Sequence, residues 1–173
     1  MQKPFVYSFG AALLVLFILL HTSCKKEESI SGTDLELYNM ATETEGFTWY
    51  QNSDILLNRS AASGHNEAFL RTRYNTVAST HLDATGKVKA QTVFNEGSLI
   101  VKELWSNELS INRYAILYKQ SEHEFADENG WVWGYINTDK TVKAPSSDKG
   151  VSCISCHMQT NNIDNTLMNK YFP

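Results

Sequence analysis

Cysteine is scarce in this chain, three in 173 residues, and that scarcity narrows the reading before any motif is considered. Three thiols cannot build the disulfide framework of a small secreted scaffold. A second closely spaced Cys pair is also missing, and a four-cysteine zinc site needs one. Charge of one sign is lacking too: the formal net charge is −4, and a mildly acidic surface argues against nucleic acid as a partner. There is no internal repeat and no low-complexity block, so a repeat architecture is set aside. The apolar run over residues 10–20 is short for a membrane span.

What is present begins with that run. Lys3 precedes it, His21-Thr22-Ser23-Cys24 closes it, and Lys25, Lys26, Glu27 and Glu28 follow. A charged start, an apolar middle and small residues before a break read as a secretory signal. A Cys directly after Thr22-Ser23 resembles the lipidated Cys of bacterial lipoproteins, although His21 stands where such signals carry an aliphatic residue. The expectation is a signal over 1–23, lipidation at Cys24, and an anchor and tether over 24–45. The competing reading is an uncleaved N-terminal anchor. Either one places the protein in the bacterial cell envelope, exported and held to a membrane by its N-terminus.

The remaining two cysteines stand in Cys153-Ile-Ser-Cys156-His157, the spacing required for covalent attachment of a c-type haem. Two thiols add to the haem vinyl groups, and the adjacent imidazole supplies the proximal iron ligand. A thioredoxin-like redox pair would be expected after the first strand of an α/β pattern rather than near this C-terminus. With one Cys for lipid and two for haem, none is left over. Aromatic residues at 12% suit a domain that must wall in a porphyrin.

From residue 46 short apolar and aromatic segments alternate with turn residues. Segments 69–74, 98–105, 113–119 and 131–136 read as strands, punctuated by Gly86, Asn95-Glu96-Gly97 and Asp127-Glu128-Asn129-Gly130. Trp131, Trp133 and Tyr135 share one face, and plain core packing is their better explanation. A helix is expected over 34–41, capped by Thr33 or Asp34, a polar loop over 140–150, and a second helix over 163–172. The fold class is thus mainly antiparallel β (α+β), one haem domain over 46–173 with helices at the ends and the haem segment at the C-terminus.

The opposite side of the iron is less determined. Met158 adjoins the proximal ligand, and Met168 reads as a packing residue. His65, His81 and His123 are candidate sixth ligands, but each sits in a polar stretch and reads better as a surface histidine. A five-coordinate iron with an open position is preferred. Lys102 lies between Ile100 and Leu104 on a strand face, which either buries its amine and makes it nucleophilic or leaves it on a solvated edge. Arg71, on a face with Phe69 and Arg73, either donates to an iron ligand or a propionate, or is solvated.

Three stretches together resemble the cytochrome P-460 family and the related cytochromes c′-beta. They are Val93-Phe-Asn-Glu-Gly-Ser-Leu-Ile-Val-Lys-Glu-Leu104, Leu70-Arg-Thr-Arg-Tyr74, and the segment from Cys153 through Asp164 to the terminal Tyr-Phe-Pro. The resemblance implies an antiparallel β fold, a homodimer, and a five-coordinate haem that meets hydroxylamine or nitric oxide, with a redox partner cytochrome. It places Lys102 at the lysine that P-460 members cross-link to the porphyrin, a link the c′-beta members lack, Arg71 at a distal arginine, and Tyr118 where hydroxylamine-oxidising members carry a pocket carboxylate. A phenol is a poor base at neutral pH, so the cross-link is expected with weakened oxidation.

Overall fold

The computed structural model describes residues 30–173. The signal over 1–23 and the lipidation expected at Cys24 lie outside the described residues. The elements run α1 (Gly32–Thr42), β1 (Thr48–Trp49), β2 (Leu57–Asn58), β3 (Phe69–Tyr74), α2 (Thr76–Ser79), β4 (Leu99–Asn107), β5 (Ser110–Lys119), β6 (Trp131–Asn137), β7 (Val142–Ala144), α3 (Val151–His157) and α4 (Met168–Tyr171). One seven-stranded sheet runs in the order β1-β3-β4-β5-β6-β7, with β2 also paired to β3, and every pairing is antiparallel. The fold is mainly antiparallel β with a few short helices, as the alternating strand pattern predicts.

Period-two alternation then decides what each face buries. On one face Leu99, Val101, Tyr114, Ile116, Val132 and Ile136 pack with Leu37 and Ala41 of α1. Gly134 permits this close approach, since a Cβ there would lie 3.0 Å from Leu37 Cδ1. The same face buries an ionic triad. Glu103 accepts from Arg71 Nε at 2.5 Å and from Arg73 Nε at 3.1 Å, and Arg73 also donates to the carbonyls of Ala41 and Glu43. The end of α1 is thereby tied to the sheet through its last carbonyls, which no intrahelical donor reaches.

The other face carries Leu70, Thr72, Tyr74, Ile100, Leu104, Leu117, Trp131 and Trp133, and the C-terminal segment closes over it. That segment departs from expectation in two places. Residues 163–172 are not one helix: Asp164 and Asn165 take left-handed φ of 44° and 64°, and only Met168–Tyr171 is helical. A side-chain anchor holds this turn. The Asp164 carboxylate accepts from Lys119 Nζ at 3.1 Å, Trp131 Nε1 at 3.1 Å and the Phe94 amide at 2.8 Å. Residues 140–150 are not simply loop, because they supply edge strand β7 and a short 3₁₀ turn over Ser146–Asp148. The cap of α1 also differs. Ser31 holds the N-cap position, and Asp34 instead accepts the Ser146 amide at 2.8 Å, joining the two ends of the domain.

Candidate haem site

α3 opens at Gly150, whose φ is +70°. A Cβ there would stand 2.6 Å from atoms of the Trp133 ring, so glycine lets the helix start against the sheet. Within α3, Cys153, Cys156 and His157 follow i, i+3, i+4 spacing, which puts them on one helix face. All three line a cavity with about 1050 Å³ of empty space, its open mouth included. Both thiols are free, and burial pushes the Cys153 thiol up.

His157 is oriented from behind. Its Nδ1 lies 2.6 Å from the Asn165 carbonyl oxygen, and the Trp133 ring meets it edge-on with centroids 5.1 Å apart. A carbonyl can only accept, so Nδ1 carries the proton and Nε2 keeps a free lone pair. Burial and the neighbouring Lys102 pull the imidazole down to about 4, against the Asn165 bond, which raises it. The ring is therefore neutral at physiological pH.

Lys102 resolves in favour of the cavity. β4 is a central strand, paired to β3 on one side and β5 on the other, and Lys102 lines the cavity with Ile100. Burial lowers its amine to about 8, only partly offset by Cys156. Thr72 stands opposite Lys102 in the β3 register, and its hydroxyl donates to Met168 Sδ at 3.2 Å. Met168 is buried and borders the cavity, whereas Met158 is exposed.

Two expected distal residues lie elsewhere. Arg71 faces away from the cavity, with Glu103 as ion partner and its guanidinium 4.4 Å from the Trp49 ring centroid and 5.0 Å from that of Trp105. Strand parity is the reason: Thr72 and Tyr74 line the cavity, so Arg71 and Arg73 cannot. Tyr118 belongs to the α1 face for the same reason. Lys102 pairs with Ala115, so Ala115 and Leu117 share its side while Tyr118 packs with the opposite cluster. Glu103 points away from Lys102, as its strand position implies. No Asp or Glu is among the residues that line the cavity.

His65, expected at the surface more than at the iron, is a cavity residue. It lines the cavity, its Nδ1 is 3.2 Å from the Tyr135 hydroxyl, and the two rings tilt against each other at 5.6 Å. Burial, with Lys102, His157 and Arg113 adding, lowers it to about 2. Of the other candidate sixth ligands, His81 sits edge-on to Phe94, and His123 sits by Thr33 and Phe125. Neither lines the cavity. Trp133 and Tyr135 wall the cavity rather than merely filling core, while Trp131 is fully buried. Nothing local marks His65 within Ser63-Gly64-His65. Only the long-range contact with Tyr135 places it.

Among the described residues no group of three or more His, Cys, Asp or Glu converges as it would on a bare metal ion. The comparisons agree with the geometry. The family model described as Cytochrome P460 matches residues 50–167. Comparison with curated proteins and with solved structures gave no match.

Proposed function

This chain belongs to the cytochrome P460 family, and from that premise we propose a covalently attached mono-haem c protein whose open iron position takes small nitrogen ligands, nitric oxide foremost. Membership implies a haem cytochrome; the finer reading is ours. One observation carries it: Cys153, Cys156, His157 and Lys102 all line the same cavity. The donor set fits the group, with two free thiols one helical turn apart and an imidazole whose Nδ1–H is already committed to Asn165. Haem bound there would supply an iron able to bind ligands and exchange single electrons.

The chain's own residues have distinct roles in this reading. Cys153 and Cys156 hold the porphyrin edge as thioethers, and α3 fixes their separation. His157, steered by Asn165 and Trp133, would ligate the haem iron. Lys102, with its amine partly uncharged near neutral pH, would be the nucleophile for a cross-link to a porphyrin carbon, the displaced C–H and N–H hydrogens leaving as two protons and two electrons to an added oxidant such as peroxide. Trp133, Ile100 and Leu117 make the wall apolar, which suits a small uncharged ligand. The placement of Lys102 also favours a second reading, oxidation of hydroxylamine. That reaction needs a general base, and the cavity lining offers no carboxylate to serve.

We extend the proposal to the setting. Export by the segment over 1–23, lipidation of Cys24, a redox partner cytochrome in the cell envelope and a homodimer complete it. The test is to express the protein with cytochrome c maturation machinery and record the ferrous spectrum. The expected outcome is haem resistant to acid extraction and a Soret band far to the red, restored to an ordinary position in Lys102→Ala. Nitric oxide should then bind one per haem, with no hydroxylamine turnover against a dye acceptor. Haem that extracts freely would overturn the attachment, an ordinary spectrum the cross-link, and turnover would move the function to oxidation.

A further inference from the structure

Two imidazoles reach the cavity, and each has its Nδ1 beside an oxygen, but the oxygens differ in kind. Behind His157 is the Asn165 carbonyl at 2.6 Å, which can only accept. Behind His65 is the Tyr135 hydroxyl at 3.2 Å, which can also donate. Arg113 decides the direction. Its guanidinium lies 4.5 Å from the Tyr135 ring centroid, and a cation over the ring makes the phenol a better hydrogen-bond donor. His65 Nδ1 is the one hydrogen-bond partner of that hydroxyl among the described residues, so the phenol proton goes to it. Nδ1 is then the acceptor, and Nε2 carries the hydrogen.

From this we propose that His65 is the cavity's hydrogen-bond donor to a small ligand held on the haem iron, with Tyr135 and Arg113 as positioning residues that fix its tautomer. The inference rests on the haem reading above and goes beyond it by naming the group that meets the bound ligand. A protonated Nε2 cannot ligate iron, so the two imidazoles have opposite duties: His157 presents a lone pair and His65 a hydrogen.

The donor is braced from both sides. On the sheet side Arg113 is held by Glu67 Oε1 at 3.2 Å and by Asn137 Oδ1 at 2.6 Å, and Asn112 donates to the same Glu67 oxygen at 2.9 Å. On the loop side Arg59 donates to the His65 carbonyl at 3.2 Å, and the His65 amide donates to Ser63 Oγ at 3.2 Å. With Arg71 and Tyr118 on the other sheet face, His65 and Lys102 are, besides His157, the lining side chains with an ionisable nitrogen.

The test uses the full-length haem-loaded protein and its ferrous carbon monoxide adduct. A donor to the bound ligand lowers the infrared C–O stretch and slows dissociation. The His65→Ala variant should raise the stretch and speed carbon monoxide release by about tenfold, the worth of roughly one hydrogen bond. The His65→Gln variant keeps an N–H and should recover most of the difference. Tyr135→Phe keeps the ring but frees the tautomer, and should split the band in two. Superimposable bands and release rates in wild type, His65→Ala and His65→Gln would overturn the proposal while leaving the haem reading intact. A wild-type iron that is six-coordinate and low-spin, becoming high-spin in His65→Ala, would make His65 a ligand and overturn it too. Low-spin iron in both, with no carbon monoxide adduct, would sink the open site itself.

Discussion

Arg73 and Lys102, on opposite faces of the sheet, are buried cations treated in opposite ways. On the α1 face Arg71 and Arg73 converge on Glu103, and Arg73 spends its other donors on the carbonyls of Ala41 and Glu43. On the cavity face Lys102 has no carboxylate beside it, and its amine drops to about 8 through burial. A charge satisfied on all sides holds elements together. An unpaired one, kept where pairing would be easy to supply, marks a site with chemistry to perform. Glu103 and Lys102 are neighbours in sequence, so strand parity alone assigns one to architecture and the other to the site.

Breaking the satisfied face should give the largest effect. Glu103→Gln strands Arg73 in the core and should destabilise the fold by about 3–5 kcal/mol, read from urea denaturation. Next comes the entry to the haem segment. Gly150→Ala combines a left-handed backbone with a Cβ inside the Trp133 ring, and should lose about 2–3 kcal/mol along with most haem incorporation. Lys102→Met should do the reverse of Glu103→Gln, gaining about 1–3 kcal/mol in the haem-free chain at pH 7. The pH dependence gives the sign. Below about 8 the amine is charged in both folded and unfolded chains, so the folded state bears the full desolvation penalty. Between about 8 and the unfolded value of 10.5 only the unfolded chain stays protonated, so the native chain gains stability as pH rises. The advantage of Lys102→Met should therefore shrink across that window in paired denaturation series. The smallest effect sharpens the contrast: Tyr118→Phe should stay within about 0.5 kcal/mol and leave the haem spectrum unchanged. A spectral shift there would place Tyr118 in the site after all.

The strands were legible because alternation and turn residues are local signals. Residues 69–74 match β3 to the residue, and 131–136 falls one residue short of β6. The haem segment was legible because its spacing is helical and its residue types are rare. Arg71 and Tyr118 were misplaced because which face a strand residue meets depends on inter-strand register, and one residue of slip moves a side chain across the sheet. The β4–β5 pairing of Lys102 with Ala115 settles Tyr118, and no short window contains both. The terminal helix failed for a different reason. Ile163, Leu167 and Tyr171 keep the helical period, but Asp164 and Asn165 are held left-handed by partners as distant as Lys119 and Phe94. His65 was a candidate ligand but read better as a surface histidine, since what places it in the cavity is Tyr135, 70 positions away.

That left-handed pair at Asp164 and Asn165 joins two circuits. One residue grips Trp131 and Lys119 at the bottom of the sheet; the next hands its carbonyl to His157. Trp131 and the imidazole are thus linked through adjacent residues, with a single peptide unit between their two anchors. In the haem-loaded protein proposed above, the basicity of that imidazole should follow the position of the Asn165 carbonyl.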